Sequence, residues 1–167
     1  PNFALFCKMT EQEQAEKTYH NILNLVWEFL TVKGAKINFE NQLEKLEEII
    51  PDVNDYDFFG VVPALDACEA LGELLHAIIA GETLEKAIQI SQISLGTVCS
   101  LLETQENRDL SETELKAREE IEEELDLQWQ IYRLLKDCEK RDVDLILSLR
   151  NEIKQEGISN IGIKIEQ

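Results

Sequence analysis

The chain has 167 residues, 44% of them apolar, and carries 34 acids against 16 bases for a formal net charge of −18. That is enough apolar material for one well-filled core and too short a chain for two. The charge excludes nucleic acid and anionic membrane surfaces as partners, because both demand clustered Lys and Arg, and no apolar run approaches the ~20 residues that cross a bilayer.

Seven Gly and three Pro fall between periodic stretches, which predicts an all-α domain. The first helix runs from about Glu11 to Val32, with Ala15, Tyr19, Ile22, Val26 and Leu30 on one stripe. Leu23, Leu25, Trp27 and Phe29 widen that stripe nearly all round, so this helix is expected in the middle of the bundle. Gly34 ends it. Asn38 then caps a shorter helix with Phe39, Leu43, Leu46 and Ile50, stopped by Pro51. Asp52 to Gly60 reads as a loop.

Val61 to Ala80 is the clearest amphipath, and Ala64, Cys68 and Gly72 form a small-residue line that admits a close neighbour. Gly81 supplies a left-handed stop. Thr83 opens a fourth helix whose predicted inner face is Leu84, Ala87, Ile88, Ser91, Leu95, Val98 and Leu102. Ser91 and Gly96 keep that surface small, which predicts an antiparallel hairpin with the preceding helix.

Ser111 and Glu114 make a capping box, with Leu110 and Leu115 as its hydrophobic staple. From there to Glu156 no Gly or Pro interrupts, while Ile121, Leu125, Gln128, Tyr132, Leu135, Val143, Ile146, Leu149 and Ile153 set the period. Two helices with a joint near Glu139 to Asp142 are expected, closed by Gly157. Ile161, Ile163 and Ile165 then alternate, predicting an extended tail laid over the body. The whole is one domain, 1–167, of about six helices.

Cys7, Cys68, Cys99 and Cys138 lie far apart, with no C-x-x-C pair and no His at ligand spacing, as in a reduced cytoplasmic protein. No signal peptide precedes them. Because the first residue is Pro1 and not Met, a segment upstream is expected.

Several stretches carry a resemblance. They include Leu25-Val26-Trp27-Glu28, Gln42-Leu43-Glu44-Lys45 with Ile50-Pro51, and Gly60-Val61 with Pro63-Ala64 and Asp66-Ala67-Cys68. Gly81-Glu82-Thr83-Leu84-Glu85, then Glu139 with Arg141-Asp142, and finally Ser159-Asn160-Ile161-Gly162-Ile163 follow in order. Together they resemble the YjaG family, a bacterial domain of unknown function, over almost the whole chain. The resemblance implies a soluble, all-helical, cytoplasmic protein with an N-terminal segment before Pro1. It implies no reaction and no catalytic residues.

The sharpest local motif is Glu73-Leu-Leu-His76, whose spacing puts a carboxylate and an imidazole on one helix face, as di-iron bundles require. Glu16 and His20 could supply a second pair from the first helix, and Asp66 and Glu69 lie upstream of Glu73. Yet Glu73 falls about 140° and His76 about 80° from the apolar centre of the wheel, where bundle ligands would point inward. A solvated acidic flank with a boundary histidine is the plainer reading. Asp52, Asp55 and Asp57 lack the Gly and distal Glu of an EF-hand loop and read as a capped turn. No G-x-S-x-G and no phosphate-cradling Gly loop occurs, and no cofactor is called for. Trp27 and Trp129 are expected as core or interface anchors.

The acid is clustered. Residues 40–57 hold seven acids and one base, and residues 111–126 hold eight acids and two bases, so two stretches carry 12 of the 18 net charges. Either they are a solubility face or they dock a basic partner. The reading favoured is a non-enzymatic interaction protein, self-associating, whose acidic face meets a basic protein. The alternative is a helical metal-carboxylate enzyme using Glu73, His76, Glu16 and His20.

Overall fold

The computed structural model describes residues 1–81, 84–138 and 140–164, and those residues form eight α-helices and no strand. The all-α reading therefore holds, and the count of about six is corrected to eight. The two extra helices have separate causes. The first, α1 (Asn2–Met9), spans only 8 residues and has no capping side chain, so nothing local announces it. It is held by burial of Phe3, Phe6 and Cys7 along one face. After it Glu11 adopts φ 58°, turning the chain sharply into α2 (Glu13–Thr31).

Asn38 accepts from the Asn41 amide at 2.9 Å and starts α3 (Phe39–Glu47). A single 3-10 turn (Val53–Asp55) then leads to α4 (Val61–Ala80). Gly81, at φ 73°, ends α4 with its amide on Ala77 O, as expected of a left-handed stop. Thr83, the expected start of the next helix, lies outside the described residues; α5 spans Leu84–Glu106.

The second extra helix comes from a break within the predicted fifth. The capping box is present in full, yet the helix it opens, α6 (Glu112–Lys116), stops after 5 residues. Arg118 turns extended and α7 (Glu119–Leu135) begins anew. The cause is tertiary. Leu110 and Leu115 pack into a cluster beside α5, and Arg118 forms an ion pair with Glu106 at the end of α5. A straight helix could not satisfy both anchors and still lay α7 along α5. The predicted second joint exists, between α7 and α8 (Val143–Glu156), with Glu139 outside the described residues. Gly157 closes α8 at φ 59°.

The middle of the bundle is α4, not α2. Val61, Ala64, Cys68, Leu71 and Leu75 of α4 are all buried, while α2 buries only Ala15, Ile22 and Val26. The small-residue line of α4 is the reason: Cys68 lies near Cys7 of α1, and Gly72 leaves room for Leu46 of α3, whose Cδ2 is 3.8 Å from a Cβ built there. Three helices thus pack round α4, and α5 makes its most extensive helix pairing. The α4–α5 hairpin forms as predicted, but not through the predicted face. Thr97 and Lys86 of α5 reach Asp66 and Glu73 of α4, whereas Ser91, Leu95, Val98 and Leu102 turn to α7 and its neighbours. Gly96 is exposed and meets nothing.

A second, smaller cluster of Val98, Leu102, Leu110 and Ile121 joins α5 to α6 and α7. By contrast α8 buries no residue fully; it is held on α2 by Arg150, which stacks over Trp27 at 5.6 Å and bonds Asn24, and by Arg141 ahead of it, over Phe29 at 5.4 Å. The tail is not laid out straight. Ile158 and Lys164 pair across a tight hook, with Gly162 at φ 76°. Ile161 packs against the second cluster, and Ile165 lies outside the described residues. No helix among the described residues is long and apolar enough to cross a membrane.

Candidate functional site

The E-x-x-H motif falls on the outer half of α4. Glu73 forms an ion pair with Lys86 of α5 at 2.5 Å, half-buried between the two helices, and this contact accounts for a carboxylate so far from the apolar centre of the wheel. His76, one turn on, is exposed. On α2, Glu16 and His20 approach each other to 4.0 Å, both partly exposed. Glu69 is exposed, and Asp66 is drawn away by Thr97. The structure brings together Glu16 with His20, and Glu73 with Lys86. Among the described residues, no group of three His, Cys, Asp or Glu side chains converges as a metal site would require.

Two concavities lie near these residues. An open groove of about 1430 Å³ runs between α1 and α2, lined by Cys7, Lys8, Glu16, Lys17 and His20 among others. Its charges are mixed in sign, and the thiol beneath it is buried: burial, and then Glu16, push Cys7 up to about 11. Burial, and then Cys7, push Cys68 up to about 12. These two cysteines are core atoms, as the isolated spacing predicts.

The second concavity, about 310 Å³, is a mainly apolar cleft with a few polar groups, where α1, α2, α4, α5 and the hook meet. Thr97 donates to Asp66 at 2.7 Å, and Tyr19 donates to Ala67 O at 3.0 Å. Burial outweighs the Thr97 bond and holds the Asp66 carboxyl above its ordinary range. Asn160 donates to Ser94 O at 2.9 Å and accepts from Asn2 at 3.1 Å, tying the hook to α5 and to the first turn of α1. Nothing periodic flags Asn160; its position in the stretch Ser159 to Ile163 is the only sequence signal.

The acidic stretches separate by structure. Glu40, Glu44, Glu47, Glu48, Asp52, Asp55 and Asp57 are all exposed, on α3 and the turn that follows. Asp52 is spent on structure, capping that turn through Asn54 at 2.9 Å, which holds its carboxyl below the ordinary range. In the other stretch, Glu114 is bonded by Arg108 at 2.8 Å and by Ser111, which together lower it to about 2. Glu112 pairs with Lys116 at 2.6 Å. Glu124 is buried, with the Gln128 amide donating to it at 2.6 Å; the same amide donates to Ser91 O at 3.2 Å. Glu119, Glu120, Glu122, Glu123 and Asp126 remain exposed along the first half of α7.

From Leu125 onward α7 holds the residues that sequence reasoning placed wrongly. Leu125, Tyr132 and Leu135 sit on the predicted core stripe but are exposed, as are Leu127, Trp129 and Leu134. Trp129 and Tyr132 stack on each other at 5.3 Å between centroids.

Comparison with known proteins gives one family. A family model described as "Protein of unknown function (DUF416)" matches residues 1–164. An uncharacterized protein of Haemophilus influenzae is 72% identical over all 167 residues, which span 85% of that relative. The uncharacterized proteins YjaG of Salmonella typhimurium and Escherichia coli are 53% and 50% identical over the same length, again 85% of each. The crystal structure of a DUF416 family protein from Shewanella baltica, at 1.91 Å resolution, superposes with a TM-score of 0.86 at 33% identity, covering 99% of this chain and 86% of that one. The YjaG resemblance of the sequence is thereby borne out.

Proposed function

The chain belongs to the DUF416 family, whose relatives above are described as uncharacterized, and on that premise we propose a cytoplasmic, non-enzymatic interaction protein that docks a basic protein. One observation carries the reading. Around α3 and its following turn, seven acids stand exposed with a single Lys among them, and no buried partner draws them inward. Such a face raises the on-rate and selects the sign of a partner, and its effect falls as salt screens it over ~8–10 Å. The four free cysteines, none paired, fit a reducing compartment.

The test uses the full chain as bait in native lysate, beside a variant with Glu40, Glu44, Glu47 and Glu48 changed to Gln. A basic protein is expected on the wild type at low salt, released by high salt and missing from the variant. Identical proteins on both baits, or none on either, would count against the reading. Metal analysis of protein purified without chelator provides the parallel check on Glu73, His76, Glu16 and His20: stoichiometric Fe, Mn or Zn would replace this proposal with the metal-carboxylate one.

A further inference from the structure

Ser91 of α5 meets Gln128 of α7, and Val98 shares a cluster with Ile121, so the two helices run antiparallel with a fixed register. That register carries Leu84 and Ile88 alongside Leu135 and Ile131. Here the α5 stripe that reads as an inner face has no cover among the described residues: Leu84 is 75% and Ile88 50% exposed. On α7, directly beside the seam packed on α5, Leu125, Trp129 and Tyr132 recur at i, i+4 and i+7, with Trp129 56% and Tyr132 55% exposed. A stacked Trp–Tyr pair on a helix face is the kind of rigid aromatic anchor that dominates protein interfaces.

The charges along α7 identify what covers this stripe. Its first turn carries Glu119, Glu120 and Glu122, and its last turn carries Arg133, followed by Lys136 at the C-cap. The stripe itself continues N-terminally into Glu122 and C-terminally into Lys136 at the same helical spacing. A helix acidic at one end, basic at the other and apolar between is complementary to a reversed copy of itself. Parallel pairing would set acid on acid. We propose that α7 is a self-association face, on which two copies of this chain pair antiparallel about a two-fold axis near Trp129, Glu122 of each lying towards Lys136 of the other. Glu119, Glu123 and Asp126 point a quarter-turn or more away from the stripe, and the α3 acids lie on another helix, so the pairing does not depend on the basic-partner reading.

Sedimentation of the intact protein over a wide micromolar range is expected to show a concentration-dependent dimer. Trp129→Glu, at an exposed position, is expected to weaken it at least about tenfold while the helical circular dichroism, and the urea midpoint at concentrations where both proteins are monomeric, stay unchanged. Geometry is read by cross-linking in a Cys138→Ser background. Trp129→Cys is expected to oxidise to an inter-chain disulfide, and Glu122→Cys mixed with Lys136→Cys to cross-link with each other but not alone. A wild-type monomer at every concentration overturns the proposal, even if the same stripe captures a different protein. So does a dimer indifferent to Trp129→Glu, or Glu122→Cys linking to itself, which would mean parallel helices.

Discussion

Around α4, the apolar side chains of α1, α2 and α3 converge until Phe3, Phe6, Ile22, Leu46 and Leu75 are almost wholly shielded. Along α7, side chains of the same kind meet chiefly α5, with the short α6 at one end, and only Ile121 among the apolar ones is buried. The two regions differ in what fills the space as well as in the helices themselves, α4 being apolar over most of its length and α7 acidic in its first turns. In the first, small residues on α4 let α1 and α3 come close; in the second, a seam of Ser91, Glu124 and Gln128 replaces apolar contact with hydrogen bonds. One half is therefore a closed core and the other a core with a side left open, and stability should be distributed accordingly.

The largest effect expected follows from the closed core. Phe6→Ala removes a side chain in ring contact with Tyr56 at 4.9 Å and should cost about 4 kcal/mol in urea unfolding. In the open half, Leu102→Ala should cost about 2 kcal/mol, and native-state hydrogen exchange should show α7 opening at a lower free energy than α4. Equal protection of α4 and α7 would erase the contrast. A smaller step is Ser111→Ala, which removes the α6 cap at a cost of about 1 kcal/mol. Its partner Glu114 is ionised down to about 2, so the cap's contribution is present above the ordinary carboxylate range and fades as pH falls towards that value. Loss of the α6 amide protection only above neutral pH would contradict this.

The smallest effect has a distinctive sign. Asp66 holds its proton more tightly folded than unfolded, so its favourable contribution is complete below its ordinary value of 3.8 and is lost as pH rises through the raised one. Asp66→Asn should therefore leave stability unchanged near pH ~3 and raise it at neutral pH. A Tm difference that does not vary with pH would show that the carboxyl is not perturbed.

What the sequence discloses in this molecule is whatever a single segment determines. Asn38, Gly81 and Gly157 act within one or two turns, and each ends or starts a helix where expected. The capping box at Ser111 is equally local, and it forms; the break six residues later is not local, because it is set by Arg118 reaching Glu106. The same divide explains α5. Its stripe of Leu84, Ile88, Ser91 and Leu95 is a real periodicity, but a period says that a face is apolar and not which helix lies against it. Here the face turned to α7, and towards Leu84 it found no cover among the described residues. At the candidate site, the i, i+3 spacing of Glu73 and His76 was visible, while the Lys86 partner that occupies Glu73 belongs to another helix.

The hook closed by Asn160 has a kinetic meaning. Its bond to Asn2 joins residues 158 apart in the chain, so the entropy of closing so long a loop is recovered only when the rest of the chain is already placed. Contacts of that kind are expected to form after the rate-limiting step. Asn160→Ala should thus leave the folding rate nearly untouched and appear almost entirely as faster unfolding, which makes the hook of residues 158–164 a latch on the lifetime of the native state.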